Sequence, residues 1–361
     1  MKSATVIGTG AIGTSIALAL TRTGVSVHLN DVNSTAARTA EAMGAGSIHI
    51  PDRQVDLAIL AVPPTCIATV LARAQRSGLA HAYTDVASVK ARPQHELLAA
   101  SADPSTYIGG HPLAGTERSG PLAGRADLFV GRPWVLTPSA RTAQGVLNRA
   151  LELVALCAGT PVIMEAAAHD HAVALTSHAP HLISSLMAVR LKYATEANVR
   201  VSGQGLRDVT RIAAGDPVLW GEILHANADA VADVLDAYAG DLNLAITALR
   251  DLAVADPTVR KRAANDLEEL LKQGNQGRAR VEHKPGTSLA DLAAVSVTIS
   301  DEPNSLARVF TAVGEMGINI EDIRIEHSPG QGHGLVELLV HQSSAPELSR
   351  LLSAGGWVVS Q

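Results

Sequence analysis

Short apolar runs alternate with helix-forming stretches through the first part of the chain. The apolar runs have the length of strands, and the segments between them are long enough for crossover helices. This alternation predicts an α/β fold with a doubly wound parallel sheet, in which ligands gather at the carboxyl ends of the strands. The predicted strands are 5–7, 25–29, 56–62, 81–86, 106–108 and 133–136.

The pattern changes near residue 165, where alanine- and leucine-rich segments carry apolar residues at every third and fourth position. This pattern predicts an all-α domain. A polar stretch with three glycines and a proline follows and is predicted to be a linker. Beyond it, the order βαββαβ predicts a small split βαβ (ferredoxin-like) domain. The predicted divisions are 1–164, 165–273, the linker 274–290, and 291–361.

Composition narrows the possible partners and the compartment. The chain has 361 residues, which predicts two or three domains, and its net charge of -6 comes without a Lys/Arg block, which argues against nucleic-acid binding. Two cysteines are too few for a disulfide framework. The first strand leaves no room for a signal peptide, and no apolar run is expected to reach the length of a membrane span. We therefore expect a cytoplasmic protein with a small-molecule partner and no membrane contact.

A glycine-rich turn joins the first predicted strand to a helix-forming stretch. Gly8 permits the tight turn, Gly10 lets the backbone approach a pyrophosphate, and Gly13 lets the helix lie close to the sheet. The phosphates would then lie at the positive N-terminus of the helix. The predicted cofactor-binding residues of this Rossmann-type site are Gly8, Thr9, Gly10, Ala11, Ile12, Gly13, Asp31, Val62 and Pro63.

Asp31 carries the prediction of which dinucleotide binds. It ends the second predicted strand, where an acidic side chain takes the hydroxyls of the adenosine ribose. Its charge would repel a 2′-phosphate, so NAD is favoured over NADP. Arg38 is close enough in sequence to keep NADP open as the less favoured cofactor.

His111 and Ser88 both follow predicted strands at the edge where the nicotinamide would lie. A histidine there is either a hydrogen-bonded structural residue or a base, and the glycines around His111 allow a substrate to approach it. Ser88 is predicted to bond one ring nitrogen and fix the tautomer. Such a pair can take a proton from a hydroxyl while a hydride leaves the same carbon.

Two further features lie in the predicted helical domain. His178 and His181 are three residues apart, but no supporting carboxylate or thiolate is suitably spaced and Pro180 disturbs the helix, so no metal site is predicted. Arg211 stands among apolar residues, which suits bidentate binding of a substrate carboxylate.

Five segments in a fixed order resemble the prephenate/arogenate dehydrogenase family of tyrosine biosynthesis. The resemblance covers nearly the whole chain. It implies a Rossmann domain joined to an intertwined helical dimerisation domain, hence a homodimer, and NAD(P)-dependent oxidative decarboxylation of a cyclohexadienol to a phenol. The segments are GTGAIGTSIA, DVASVK, GGHPLAGTERSG, HDHAVALTSHAPHLI and GLRDVTRIAAGDPVLW.

The resemblance also implies roles for individual residues. His111 corresponds to the base on the ring hydroxyl and Ser88 to its orienting partner. The implied substrate-binding residues are Arg211 as carboxylate anchor, His178 in the pocket, and Thr116 and Glu117 as lining or gating groups.

The last domain resembles an ACT domain, a regulatory module present in some family members. The turn 301–304 matches the strand-to-helix turn of that module, with Asn304 where glycine is usual. Asparagine adopts left-handed backbone angles, so the fold is expected to tolerate the change. Tyrosine is the expected effector, and a module that only packs or dimerises is the alternative.

Several functional readings stay open at the sequence level. Prephenate is the preferred substrate, and arogenate is the alternative, for which Glu117 would be the acidic partner of the ammonium group. A β-hydroxyacid dehydrogenase is a rival, but the segment 192–198 lacks the spacing of the lysine and asparagines in that family. A non-catalytic NAD-binding sensor is a further alternative.

Overall fold

The computed structural model describes residues 1–115, 119–281, 291–327 and 332–360. The chain divides into two compact units, Met1–Ala237 and Tyr238–Gln361, each with a buried apolar core.

A seven-stranded sheet forms the centre of the first unit. Its strands are β1 (Ser3–Ile7), β2 (Ser26–Asn30), β3 (Leu57–Leu60), β4 (Tyr83–Asp85), β5 (Tyr107–Pro112), β6 (Pro133–Thr137) and β7 (Thr160–Ile163). They lie in the order β2-β1-β3-β4-β5-β6-β7. The strand order therefore changes direction between β1 and β3, and the carboxyl ends of these strands are where a doubly wound sheet binds ligands.

The sheet is not parallel throughout. Strands β1 to β5 are parallel, but β6 runs antiparallel to β5 and parallel to β7. A parallel connection needs a crossover helix, and the described residues between β5 and β6 contain only the short 3₁₀ turn Pro121–Ala123. All six predicted strands are present, whereas β7 was not predicted.

Helices cover both faces of this sheet. They are α1 (Ala11–Arg22), α2 (Ser34–Ala42), α3 (Ile67–Arg76), α4 (Ala91–Ala99) and α5 (Gln144–Leu156). Leu20 of α1 and Leu153 of α5 share one core with Ile59, while Leu71 of α3 packs in the other core with Leu60. Since successive strand residues point to opposite faces, Ile59 and Leu60 divide the two cores, as in a doubly wound fold.

Seven helices follow the sheet: α6 (Ala166–Val173), α7 (Ala179–Leu191), α8 (Glu196–Arg200), α9 (Gln204–Thr210), α10 (Pro217–Ala226), α11 (Ala228–Leu252) and α12 (Pro257–Ala279). A π-helical turn, Ala174–His178, joins α6 to α7, and Pro180 lies in the first turn of α7. Proline has no N–H to donate, which agrees with the disturbed helix predicted there. The boundary between the two units falls within α11.

The continuous helix Ala166–Leu191 is long and apolar enough to cross a membrane by length and composition. The expectation that no apolar run reaches that length is therefore wrong. A core helix of a soluble protein passes the same test, so one such helix is a weak indication. In this unit, His169 and Asp170 on that helix are buried. His169 is hydrogen-bonded to His111 of β5, and Asp170 accepts the backbone N–H of Lys90 in the loop after β4.

The second unit contains a small antiparallel sheet. Its elements are β8 (Leu292–Ser300), α13 (Ser305–Glu315), β9 (Asp322–His327), β10 (His333–His341), α14 (Ala345–Ala354) and β11 (Val358–Ser360). The strands lie in the order β11-β8-β10-β9. Asn304, before α13, has a φ of 74°, so this asparagine adopts the left-handed conformation expected of it.

The linker prediction is partly wrong. Helix α12 continues to Ala279, so the start of the predicted linker is helical, and residues 282–290 lie outside the described residues. Extending a formed helix adds one hydrogen bond per residue, which offsets a cost of about 1 kcal/mol for each glycine.

Candidate active site

The turn after β1 contains three glycines, and the structure gives a different reason for glycine at each position. Gly8 has a φ of 101°, and a Cβ on it would lie 2.1 Å from the carbonyl oxygen of Ala61. A Cβ on Gly13 would lie 1.9 Å from the Gly8 oxygen. A Cβ on Gly10 would meet no atom within 4 Å. The protein's own packing therefore requires Gly8 and Gly13, whereas the space beside Gly10 is open at the N-terminus of α1.

Asp31 is bonded to this turn. Its Oδ2 accepts hydrogen bonds from the backbone N–H of Thr9 at 2.6 Å and from the Thr9 hydroxyl at 2.8 Å. Its Oδ1 accepts from the backbone N–H of Asn33 at 2.7 Å. The carboxylate thus braces the glycine turn, a role that the sequence analysis did not predict. Val62 and Pro63 follow β3 at the same edge and are half-buried and exposed, respectively.

A buried ion pair lies beneath the strand that carries His111. The Lys90 ammonium donates to Asp85 Oδ1 and, at 2.6 Å, to the carbonyl oxygen of Gly110. Tyr107 donates its hydroxyl to Asp85 Oδ2. Burial lowers the pKa of Lys90, an effect that Asp85 opposes, and burial raises the pKa of Tyr107. The pair anchors the backbone immediately before His111.

His111 is half-buried near the carboxyl end of β5, and a second histidine holds its ring. Its Nδ1 lies 2.8 Å from Nε2 of His169, and Nδ1 of His169 lies 2.7 Å from Asp170 Oδ1. Burial lowers the pKa of His111 well below the usual histidine value, and the neighbouring His169, Lys90 and then His178 add to the shift. His111 is therefore neutral near neutral pH.

Ser88 does not make the predicted contact. Within the described part of the chain, its side chain forms no hydrogen bond with His111, whose Nδ1 is bonded to His169 of α6 instead. Ser88 is half-buried in the loop after β4.

His178 lies in a second buried group on the helical side. Asn227 donates its amide to the Asp170 carbonyl oxygen at 2.8 Å, and the same nitrogen lies 3.1 Å from His178 Nδ1. His178 Nδ1 therefore accepts, which places the hydrogen of the neutral ring on Nε2. Burial is the largest cause that lowers the pKa of His178, to about 4. His178 is thus a neutral hydrogen-bond donor.

Family models match most of the chain. A model described as "Prephenate dehydrogenase, nucleotide-binding domain" matches residues 16–163, and one described as "Prephenate dehydrogenase, dimerization domain" matches residues 165–273. The chain belongs to the prephenate dehydrogenase family.

Individual family members agree over long stretches. "Probable prephenate dehydrogenase NovF" of Streptomyces niveus is 40% identical, over 99% of both chains. The solved prephenate dehydrogenase of Aquifex aeolicus, in complex with hydroxyphenyl propionate and NAD+, is 25% identical with a TM-score of 0.67, covering 78% of this chain and 99% of that one. The arogenate dehydrogenase of Synechocystis is 26% identical with a TM-score of 0.61, covering 76% and 98%.

The structure describes only one of the three remaining residues that were predicted to bind the substrate of this prephenate dehydrogenase family member. Arg211 is exposed and begins the 3₁₀ turn Arg211–Ala214, which packs against α7. That turn leads to Gly215, where a Cβ would lie 2.4 Å from the Trp220 ring nitrogen. Trp220 stacks on His181 with ring centroids 3.6 Å apart. Thr116 and Glu117 lie outside the described residues.

Several residues of this site were missed by the sequence analysis. His169 and Asp170 stand beside each other in the family segment HDHAV, but their contact with His111 spans 58 positions of sequence. Lys90 and Asp85 gave a clearer signal, because these two opposite charges lie close to an apolar strand. Charged side chains are almost never buried unless they are paired, so this arrangement indicates a buried ion pair. Asn227 gave no signal.

Proposed function

We propose that the protein catalyses the NAD-dependent oxidative decarboxylation of prephenate to 4-hydroxyphenylpyruvate, a step of tyrosine biosynthesis. The observation that carries this proposal is a neutral histidine, His111, at the same sheet edge as the glycine turn. The relatives named above support it, since one is a probable prephenate dehydrogenase and another was solved with NAD+.

The open space beside Gly10 fits the pyrophosphate of a dinucleotide. The helix α1 begins at Ala11 and directs its free N–H groups to this space. Asp31 Oδ1 accepts one N–H from Asn33 and has the capacity for a second hydrogen bond, from a ribose hydroxyl. We therefore retain the predicted cofactor-binding residues and the preference for NAD over NADP.

In the proposed reaction, His111 removes the proton of the ring hydroxyl. The nicotinamide supplies the hydride acceptor when the cofactor is bound. As the carboxylate leaves as carbon dioxide, the electron pair of the broken C–C bond passes through the ring to the oxygen. The resulting phenolate takes back the proton from His111, so one positioned base suffices.

The substrate-binding roles are proposals that rest on the resemblance and on chemistry. His178 presents an Nε2–H donor, which suits a substrate oxygen. Arg211 suits a substrate carboxylate because its guanidinium can donate two parallel hydrogen bonds. Ser88, Thr116 and Glu117 remain predicted members of the pocket.

The test is formation of the reduced cofactor with prephenate and, separately, arogenate, each with NAD+ and NADP+. Prephenate with NAD+ should give the highest kcat/KM, and preference for arogenate would replace the substrate assignment. His111→Ala should fold and bind NAD+ but lose about 100-fold or more in kcat. An unchanged rate would contradict the role of His111, and no turnover with any pair would favour the NAD-binding sensor.

We also propose that the helical region forms a homodimer. The matching model is described as a dimerization domain. This region leaves large apolar side chains exposed, including Leu186 of α7 at 59% and Tyr193 in the turn after α7 at 72%. Exposed apolar side chains mark an interaction surface where they form a contiguous patch. Light scattering should give the mass of two chains, and a monomer at assay concentration would contradict this proposal.

The C-terminal residues 291–361 are proposed to be an ACT-like effector domain, with the other domains at the predicted boundaries 1–164 and 165–273. The order and pairing of strands support a ferredoxin-like arrangement. A shallow cavity of about 550 Å³ beside α13 is lined by Asn304, Arg308 and Trp357, among others, and Arg308 lies 5.5 Å from the Trp357 ring centroid. Calorimetry with tyrosine and the intact protein should show binding, and its absence would favour a packing module.

A further inference from the structure

A chain of hydrogen bonds leads from the end of a helix to the proposed base. We propose that His169 and Asp170 are positioning residues that fix the tautomer of His111, so that its Nε2 carries the lone pair that accepts the substrate proton. This inference rests on the proposed function for its catalytic consequence, whereas the tautomer itself does not depend on turnover.

The direction of the chain is set at Asp170. Its Oδ1 accepts the backbone N–H of Lys90 at 2.7 Å, and its Oδ2 accepts that of Ala91 at 2.8 Å. These donors lie at the N-terminus of α4, where a helix stabilises a negative charge. A carboxylate anion only accepts hydrogen bonds. Nδ1 of His169, 2.7 Å from Oδ1, must therefore carry a hydrogen and donate it.

The direction then passes to His111. When the single ring hydrogen of His169 is on Nδ1, its Nε2 carries a lone pair. Nδ1 of His111 lies 2.8 Å from that Nε2, so Nδ1 of His111 is the donor. The other nitrogen of the His111 ring, Nε2, is left without a hydrogen. Each bond in the chain thus allows one arrangement, and it is the arrangement that a general base needs.

Ser88 does not offer the same control. A hydroxyl both donates and accepts, so it bonds equally well to either tautomer of a histidine. The His169–Asp170 pair has a single direction because a carboxylate lies at its end. His169 and Asp170 are 1% and 5% exposed, so water does not compete for these bonds.

The hydrogen-bond chain also stabilises the positive charge that forms on His111 during the reaction. Burial above all, and also the nearby Lys90 ammonium, make a protonated His111 unfavourable in the resting site. When His111 takes the substrate proton, its Nδ1–H bond to His169 strengthens, and the Asp170 carboxylate lies at the end of the same chain. A fixed negative charge in a buried site stabilises developing positive charge without rearrangement.

Substitutions at His169 test the inference, with His171 as the matched control. His171 is exposed on the same helix, two residues further along. His169→Leu removes the acceptor for His111 Nδ1–H, so kcat should fall about 100-fold or more while the KM for the substrate and the Kd for NAD+ change little. His169→Gln keeps an amide oxygen that can accept, so it should retain kcat within about ten-fold of the unmodified protein. His171→Gln should be unchanged.

The pH profile separates positioning from damage to the fold. If His169 sets the tautomer, His169→Leu should lower kcat across the whole pH range and alter the acidic limb of kcat/KM, since both the tautomer and the charge stabilisation are lost. Equal losses in the Leu and Gln variants, or a His169→Leu enzyme within about three-fold of the unmodified kcat, would overturn the proposal.

The tautomer is measured directly by NMR of protein labelled with ¹⁵N-histidine, with the His111 signals identified by their absence in His111→Ala. The expected spectrum shows a protonated Nδ1 and an unprotonated Nε2 for His111, and His169→Leu should mix the two tautomers. A protonated Nε2 in the unmodified protein would overturn the proposal. The expected tautomer in a protein without turnover would support the positioning chain and refute the proposed reaction instead.

Discussion

Alanine substitutions at Gly8 and Gly10 should separate the packing of the glycine turn from its binding of the cofactor. A Cβ on Gly8 would lie 2.1 Å from the oxygen and 2.7 Å from the carbon of the Ala61 carbonyl, at a φ of 101°. The left-handed conformation costs about 1–2 kcal/mol and overpacking costs about 1–3 kcal/mol. We expect Gly8→Ala to lower the free energy of unfolding by about 2–5 kcal/mol.

Gly10→Ala should have the opposite pattern. Gly10 has φ and ψ values of -70° and -169°, which any residue adopts, and its Cβ would project into open space. The free energy of unfolding should therefore change by no more than about 0.5 kcal/mol. The same Cβ would lie where the pyrophosphate approaches the backbone, so NAD+ affinity should fall by about ten-fold or more, equivalent to about 1.4 kcal/mol.

Urea unfolding of the protein without cofactor gives the stabilities, and a fluorescence titration gives the NAD+ affinities. Gly10→Ala with full NAD+ affinity would refute the placement of the cofactor beside Gly10. Gly8→Ala with unchanged stability would refute the steric argument from Ala61. Because one variant changes stability and the other changes binding, each serves as the control for the other.

Three further predictions concern buried groups. Lys90→Met should lower the free energy of unfolding by about 3–5 kcal/mol, because it leaves the Asp85 carboxylate without its cation. The double variant Lys90→Met/Asp85→Asn should recover part of that loss in urea unfolding. Equal stabilities of the single and the double variant would contradict the pairing. The pKa of His178 is about 4 in the folded chain against 6.5 in the unfolded one. The folded state thus binds fewer protons, and the free energy of unfolding should fall as pH falls from about 6.5 to about 4. His178→Gln should flatten that dependence in urea unfolding across the window. Cys66 is exposed, whereas Cys157 is buried with a pKa raised to about 12. A thiol reagent should therefore modify one cysteine in the native protein and two in denaturant. Modification of both cysteines in the native protein would contradict the burial of Cys157.

The fold of the first unit was largely predictable because its strands are short apolar runs that pack in the core. The exception shows the limit of the pattern. Strand β7 (Thr160–Ile163) is a short edge strand that contains Pro161, and proline within an apolar run argues against a strand. The reversal at β6 was also hidden, because strand direction depends on the connection and not on the strand's own residues.

The site was predictable where its residues lie close together in sequence. The glycine turn follows β1 directly and His111 lies near the carboxyl end of β5, so local sequence indicates their place at one sheet edge. The sequence analysis assigned Ser88 as the partner of His111. The actual partner, His169, lies 58 positions away on a helix that packs against the sheet, and no spacing rule predicts that contact. The tautomer depends on which side chain arrives at Nδ1, which is a property of the tertiary structure.

Lys90 connects the two buried hydrogen-bond networks around His111, one through its backbone N–H and the other through its side-chain ammonium. Its backbone N–H bonds to Asp170, which ends the histidine chain, while its ammonium bonds to the oxygen of Gly110, next to His111. The ammonium charge is among the causes that lower the pKa of His111 and keep it neutral. A neutral base without a fixed tautomer would present the wrong nitrogen for part of the time. Burial, helped by the ammonium, therefore keeps His111 neutral, and the carboxylate of Asp170 fixes its tautomer through His169.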